Sequence, residues 1–135
     1  MTKHNTFSVI RCDDAGYDFV IAGVPLKDRL RRHERVHVDH ISALGTVDGA
    51  RARLLLASEP DLNSGATALF VCGMCGGYDG NPIGARISRD HDTAFWEDMG
   101  FHYDIEQDPI LFSSVTSFAF DWIEYQDALL SIETT

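Results

Sequence analysis

Two groupings in this chain carry residue types that do chemistry. The first, His33-Glu34-Arg35-Val36-His37, matches the His-Glu-x-x-His pattern of zinc metalloproteases. On a helix, residues four apart are neighbours, so both imidazoles can hold one Zn²⁺ while the glutamate activates water. With 6 His and 6 Glu in 135 residues, about 0.01 such matches arise by chance. The surroundings point away from a protease. Arg35 puts a charge where the pattern prefers an uncharged residue, and the residues downstream alternate as a strand does. In an extended chain His33 and His37 would stand ~13 Å apart and could not share a metal. A charged helix end running into a strand is the competing reading.

The second grouping is Cys72-Gly73-Met74-Cys75. Three readings stay open. Two thiolates at knuckle spacing are half of a tetrahedral zinc site, to be completed from Cys12, His33, His37, His91 or His102. A redox dithiol is the second, but such pairs are activated at a helix N-terminus. The Gly-Gly-Tyr-Asp-Gly-Asn-Pro run after Cys75 starts no helix, and an acidic neighbourhood raises a thiol pKa. The third is structural, small thiols buried at a strand end. The expected metal candidates are therefore Cys72, Cys75 and His102, and the expected cofactor is none or zinc. Three cysteines without an apolar leader argue against a disulfide framework and for a cytoplasmic protein.

Other chemistries are excluded by pattern. The glycine-rich stretch 73–84 lacks both Gly-Lys-Ser/Thr and Gly-x-Gly-x-x-Gly. No serine stands in a Gly-x-Ser-x-Gly elbow. Asp79, Asp90, Asp92, Asp98 and Asp104 lack calcium-loop spacing.

Charge is the stronger signal. The net charge is −10, and residues 60–135 hold 13 acids against Arg86 and Arg89. Such a surface repels phosphate backbones, so no nucleic-acid partner is expected, and it suits a basic protein through steering. The candidate contacts are Asp90, Asp92, Glu97, Asp98, Asp104, Glu106 and Asp108. Lys27 to Arg35 forms a basic island, read either as a solvated helix face or as an internal partner for the acidic half.

The elements that must position these residues fit one domain over 1–135, with ordinary globular composition and no run long enough for a membrane span. Phe7–Ile10 and Tyr17–Ala22 predict an N-terminal hairpin. A helix can start at Pro25, with Leu26 and Leu30 four apart. Residues 36–41 alternate as a half-buried strand. Asp48 caps a predicted helix over 50–57, and 67–72 reads as a buried strand. The segment 76–84 reads as loop. Residues 85–89 and 93–98 form a hairpin about Asp90-His91-Asp92, and Phe118 and Phe120 close a strand. Asp121 and Glu124 open a final helix whose Trp122, Tyr125, Leu129 and Ile132 form one apolar stripe. The expected fold is α+β, mainly antiparallel, with an N-terminal hairpin, a central helix and a C-terminal helix.

Residues 68–76, then Gly84 to Arg89, then Asp92-Thr93-Ala94-Phe95-Trp96 resemble a family of small uncharacterised bacterial proteins. That family shows a strand ending in Cys-x-x-Cys-Gly, a glycine loop with a further Cys-Gly, and a strand pair centred on Asp-Thr-x-x-Trp. The resemblance covers residues 54–130. It implies no established activity. Where the family has its third cysteine this chain has Ile83, so only Cys72 and Cys75 match.

The expectation that follows is a non-catalytic interaction protein, of the immunity or antitoxin kind, whose acidic face occludes a basic protein. The alternative is a zinc-binding protein or small metalloenzyme using Cys72 and Cys75, and a dithiol oxidoreductase comes third. A homodimer through a strand edge or aromatic patch is a further expectation.

Overall fold

The computed structural model describes residues 3–12, 16–38, 41–44, 47–72, 82–103 and 108–132. It is α+β, with two antiparallel sheets and three α-helices among the described residues.

The first sheet begins with the expected hairpin, β1 (Phe7–Cys12) against β2 (Gly16–Ile21). Ala22 and Gly23 both have positive φ, which is what a two-residue turn matched to strand twist requires. That turn adds a short β3 (Val24–Pro25). Pro25, fixed in φ, leads into α1 (Leu26–Arg29). The first turn is capped from a distance, since Asp18 accepts the N–H groups of Phe19 at 2.8 Å and Lys27 at 3.3 Å. A π-helical turn over Leu30–Glu34 follows and ends at Arg35, which is left-handed with φ 56°.

That ending corrects the expected strand over 36–41. Residues 35–38 are coil, residues 39–40 lie outside the described residues, and Ile41 opens a strand, β4 (Ile41–Ala43). The alternation at Val36 and Val38 records burial of an irregular segment, not ladder pairing. The central helix, α2 (Val47–Leu54), starts earlier than expected, with Asp48 in its first turn beside Arg51 at 2.9 Å. It stops before Leu56, which has a positive φ of 61°.

The second sheet runs β4, β5 (Thr67–Cys72), β6 (Ile83–Asp90), β7 (Thr93–Phe101) and β8 (Ile110–Leu111), with β9 (Phe118–Asp121) also on β7. β6 takes in Ile83 and Gly84, which the loop reading had excluded. Within the strand this position requires glycine, because a Cβ at Gly84 would lie 2.8 Å from the Thr67 carbonyl oxygen. Its cross-strand partner Gly100 is equally constrained by the backbone of Ile110 and Leu111. α3 (Trp122–Leu130) opens as expected on Asp121, whose carboxylate accepts the Glu124 N–H at 3.0 Å. The Glu124 side chain does not fold back to complete a capping box; it accepts the Phe7 N–H at 3.1 Å.

The core lies where both sheets meet α3. Phe7, Phe19, Trp96, Phe120 and Tyr125 pack with ring centroids 4.8–6.2 Å apart, largely edge-on or tilted. Its polar atoms are satisfied, since Trp96 Nε1 donates to the Tyr125 hydroxyl, which donates to the Leu54 carbonyl. No helix among the described residues is long and apolar enough to cross a membrane.

Candidate protein-interaction groove

The long strand β7 creates a gap. One edge pairs with β6 along its length. The other is shared, with β9 on residues 93–96 and β8 on residues 100–101. Between them, among the described residues, Met99 connects, donating its N–H to Thr116 O at 3.2 Å and accepting from Phe112 N–H at 2.8 Å.

A β-bulge sits at this gap. Gly84 faces Gly100 and Arg86 faces Glu97, so β7 carries one extra residue. Asp98 takes up the excess in the left-handed region, at φ 52°. Aspartate tolerates that conformation better than most residues. The bulge lets β7 continue past Asp98, where the expected strand ended.

The gap holds a hollow of about 300 Å³ lined by Glu97, Asp98, Met99, Leu111, Phe112, Thr116 and Ser117. Met99 and Phe112 are buried and give it an apolar floor, while Leu111 is half exposed at its wall. Glu97 and Asp98 are exposed at its rim. Asp98 Oδ2 lies 3.2 Å from Arg86 Nε, in a half-exposed pair of small energetic weight. An aliphatic stem with a cationic head fits this arrangement: methylenes against Met99, Leu111 and Phe112, charge at the carboxylates.

No protein-family model, curated protein or solved structure matches the chain.

The other expected contacts are dispersed. Asp90 and Asp92 are exposed at the β6–β7 turn, and Asp92 O accepts the Trp122 N–H at 2.7 Å. Asp108 is exposed just before β8. Asp104 and Glu106 lie outside the described residues.

The metal candidates are likewise not shown together. Cys72 ends β5, paired across the sheet with Ile41, and Cys75 lies outside the described residues. His102 is buried and both ring nitrogens are engaged, Nε2 with Asp98 O at 2.6 Å and Nδ1 with Ser64 Oγ at 2.8 Å. A carbonyl only accepts, so Nε2 carries the proton and the Ser64 hydroxyl donates to Nδ1. Burial holds the His102 pKa below its ordinary value, keeping the ring neutral. Among the described residues no three His, Cys, Asp or Glu side chains are grouped to hold a metal.

The His-Glu-x-x-His residues also separate. His33 lies in the π turn and His37 beyond the left-handed Arg35, so one helix face does not present both. Glu34 turns to the other half of the molecule. Its Oε2 accepts the N–H groups of Ser114 at 2.7 Å and Val115 at 2.6 Å. The basic island makes no ion pair with the acidic half among the described residues; Arg31 pairs locally with Asp28. Leu111, Phe112, Thr116 and Ser117 carried no sequence signal as site residues. They meet the two acids only because β8 and β9 share one edge of β7.

Proposed function

We propose that this chain is a non-catalytic protein-interaction domain whose groove between β8 and β9 receives a lysine or arginine of a basic protein partner. The observation that carries the reading is the pairing of Glu97 and Asp98 at the rim of a hollow with a buried apolar floor. The net charge of −10 would draw a basic partner to this face at long range. In its most concrete form the protein is an immunity- or antitoxin-like domain that covers a basic toxin in the cytoplasm.

The test is capture from the native host at low and moderate salt, by the wild type and by a Glu97→Gln/Asp98→Asn double variant. Asparagine tolerates the left-handed conformation at 98, so the bulge is kept. One basic protein retained by the wild type and lost by the variant is expected. An identical set of captured proteins, or none at either salt, overturns the reading.

A further inference from the structure

A second hollow, of about 300 Å³, lies on a different part of the molecule, lined by Arg31, Arg35, Val36, His37 and Val38. We propose that it is an anion site and that its ligand is a small phosphomonoester.

The backbone makes the hollow. After α1 the helix widens into the π turn, whose last N–H, that of Arg35, returns to Leu30 O. π turns are rare and occur frequently at functional sites. The left-handed Arg35 then reverses the chain, and the Val36 N–H bonds to the same Leu30 oxygen at 3.2 Å. This carries Val36, His37 and Val38 back to the hollow that Arg31 also lines. Glycine is the usual residue at such a helix end because it adopts positive φ without steric cost. An arginine there is strained, and strain of this kind collects at binding sites.

The charges agree. Residues 27–35 carry five cations and two acids in a chain of net charge −10. Both acids are engaged. Asp28 pairs with Nη2 of Arg31, and Glu34 faces the backbone of Ser114 and Val115. Among the described residues Arg35, which lines the hollow beside Arg31, makes no ion pair.

The ligand class follows from shape and range. Planar guanidinium forks suit phosphate oxygens. A phosphate fills only part of the hollow, and the buried Val38 and half-buried Val36 offer an apolar wall for a carbon group. A long polyanion would meet the repulsion of the whole acidic surface. A small anion feels chiefly the local cations, because salt screens beyond ~8–10 Å.

The experiment titrates inorganic phosphate, phenyl phosphate and phenol into ¹⁵N-labelled protein and follows the amide shifts. Saturable shifts over residues 31–38 are expected, tighter for phenyl phosphate than for phosphate and absent for phenol. Arg35→Gly should weaken binding about tenfold or more while melting no lower than the wild type. Arg31→Gln should weaken binding with Arg35 intact. Absence of saturable phosphate binding, or binding unchanged in both variants, overturns the site. Equal affinity for phosphate and phenyl phosphate overturns the phosphomonoester assignment.

Discussion

Glu34 holds Val115 from 81 residues away, its carboxylate accepting the backbone N–H at 2.6 Å. The adjacent Ser114 N–H reaches the same oxygen at 2.7 Å. Charged acceptors on backbone donors contribute about 1.5–3 kcal/mol each, less where water competes. Glu34→Ala is therefore expected to lower the unfolding free energy by about 2 kcal/mol in urea titration. His33→Ala, at an exposed position, should stay within about 0.5 kcal/mol. Equal effects would return the glutamate and histidine to a shared role.

Asp18 sets a pH dependence of its own. Burial pushes its pKa from 3.8 up to about 6, despite the N–H groups of Phe19 and Lys27 that it accepts. The folded state thus binds this proton more tightly than the unfolded chain. Its favourable contribution is full below pH 3.8 and is lost as the pH rises through about 6. Asp18→Asn keeps an acceptor for both N–H groups. It should be more stable than the wild type above pH 6, by on the order of 2–3 kcal/mol, and close to it below pH 3.8. Parallel stability–pH curves for the two proteins would refute this.

His102 acts with the opposite sign. Its pKa is lowered by burial, so its contribution is present above 6.5 and is lost as the pH falls below that value. Ser64→Ala leaves the buried Nδ1 without its donor, at a cost of about 1–3 kcal/mol in chemical denaturation at neutral pH. A cost near zero would mean that the ring is satisfied in another way.

Metal content is a separate question, answered by elemental analysis of protein purified without tag or chelator. If Cys72 and Cys75 hold zinc, the metal should disappear in the Cys72→Ser/Cys75→Ser protein. It should persist in Ser64→Ala, because the Ser64–His102 pair makes its own closed set of hydrogen bonds. Loss of zinc in Ser64→Ala would place His102 among the ligands.

Tyr125→Phe removes one oxygen but strands two groups, the Leu54 carbonyl and the Trp96 indole N–H. The expected loss is about 2 kcal/mol, measured by urea unfolding. A loss near zero would contradict the burial of this network.

What the sequence disclosed was local. Asp121, Glu124 and the Trp122, Tyr125, Leu129 stripe lie within one short segment, so capping and periodicity located α3. Thr93 to Trp96 alternate and sit beside a turn, which located the β6–β7 hairpin. The bulge at Asp98 follows from a register shift against β6, and β8 exists because Gly100 admits the Ile110 backbone. Neither has a local signature. Val36 and Val38 alternate as strand residues do, yet the left-handed Arg35 and the pull of Leu30 keep them in coil. The acids of the groove were visible as exposed charge. Its floor was not, because Met99 and Phe112 meet only across the gap. Glu34 stood in a motif that suggested a catalyst, while its partners lie some 80 residues downstream.

The position of Phe7 has a consequence for how the chain is made. Its ring packs on Trp96, Phe120 and Tyr125, and its N–H waits for Glu124, 117 positions later. Asn5 likewise joins Ala119 across the ends of the chain. During synthesis the first hairpin can form early, but it carries an unsheltered aromatic face until the final helix leaves the ribosome. A nascent chain that stops before residue 120 therefore lacks the rings and the carboxylate that cover Phe7, and its core stays open.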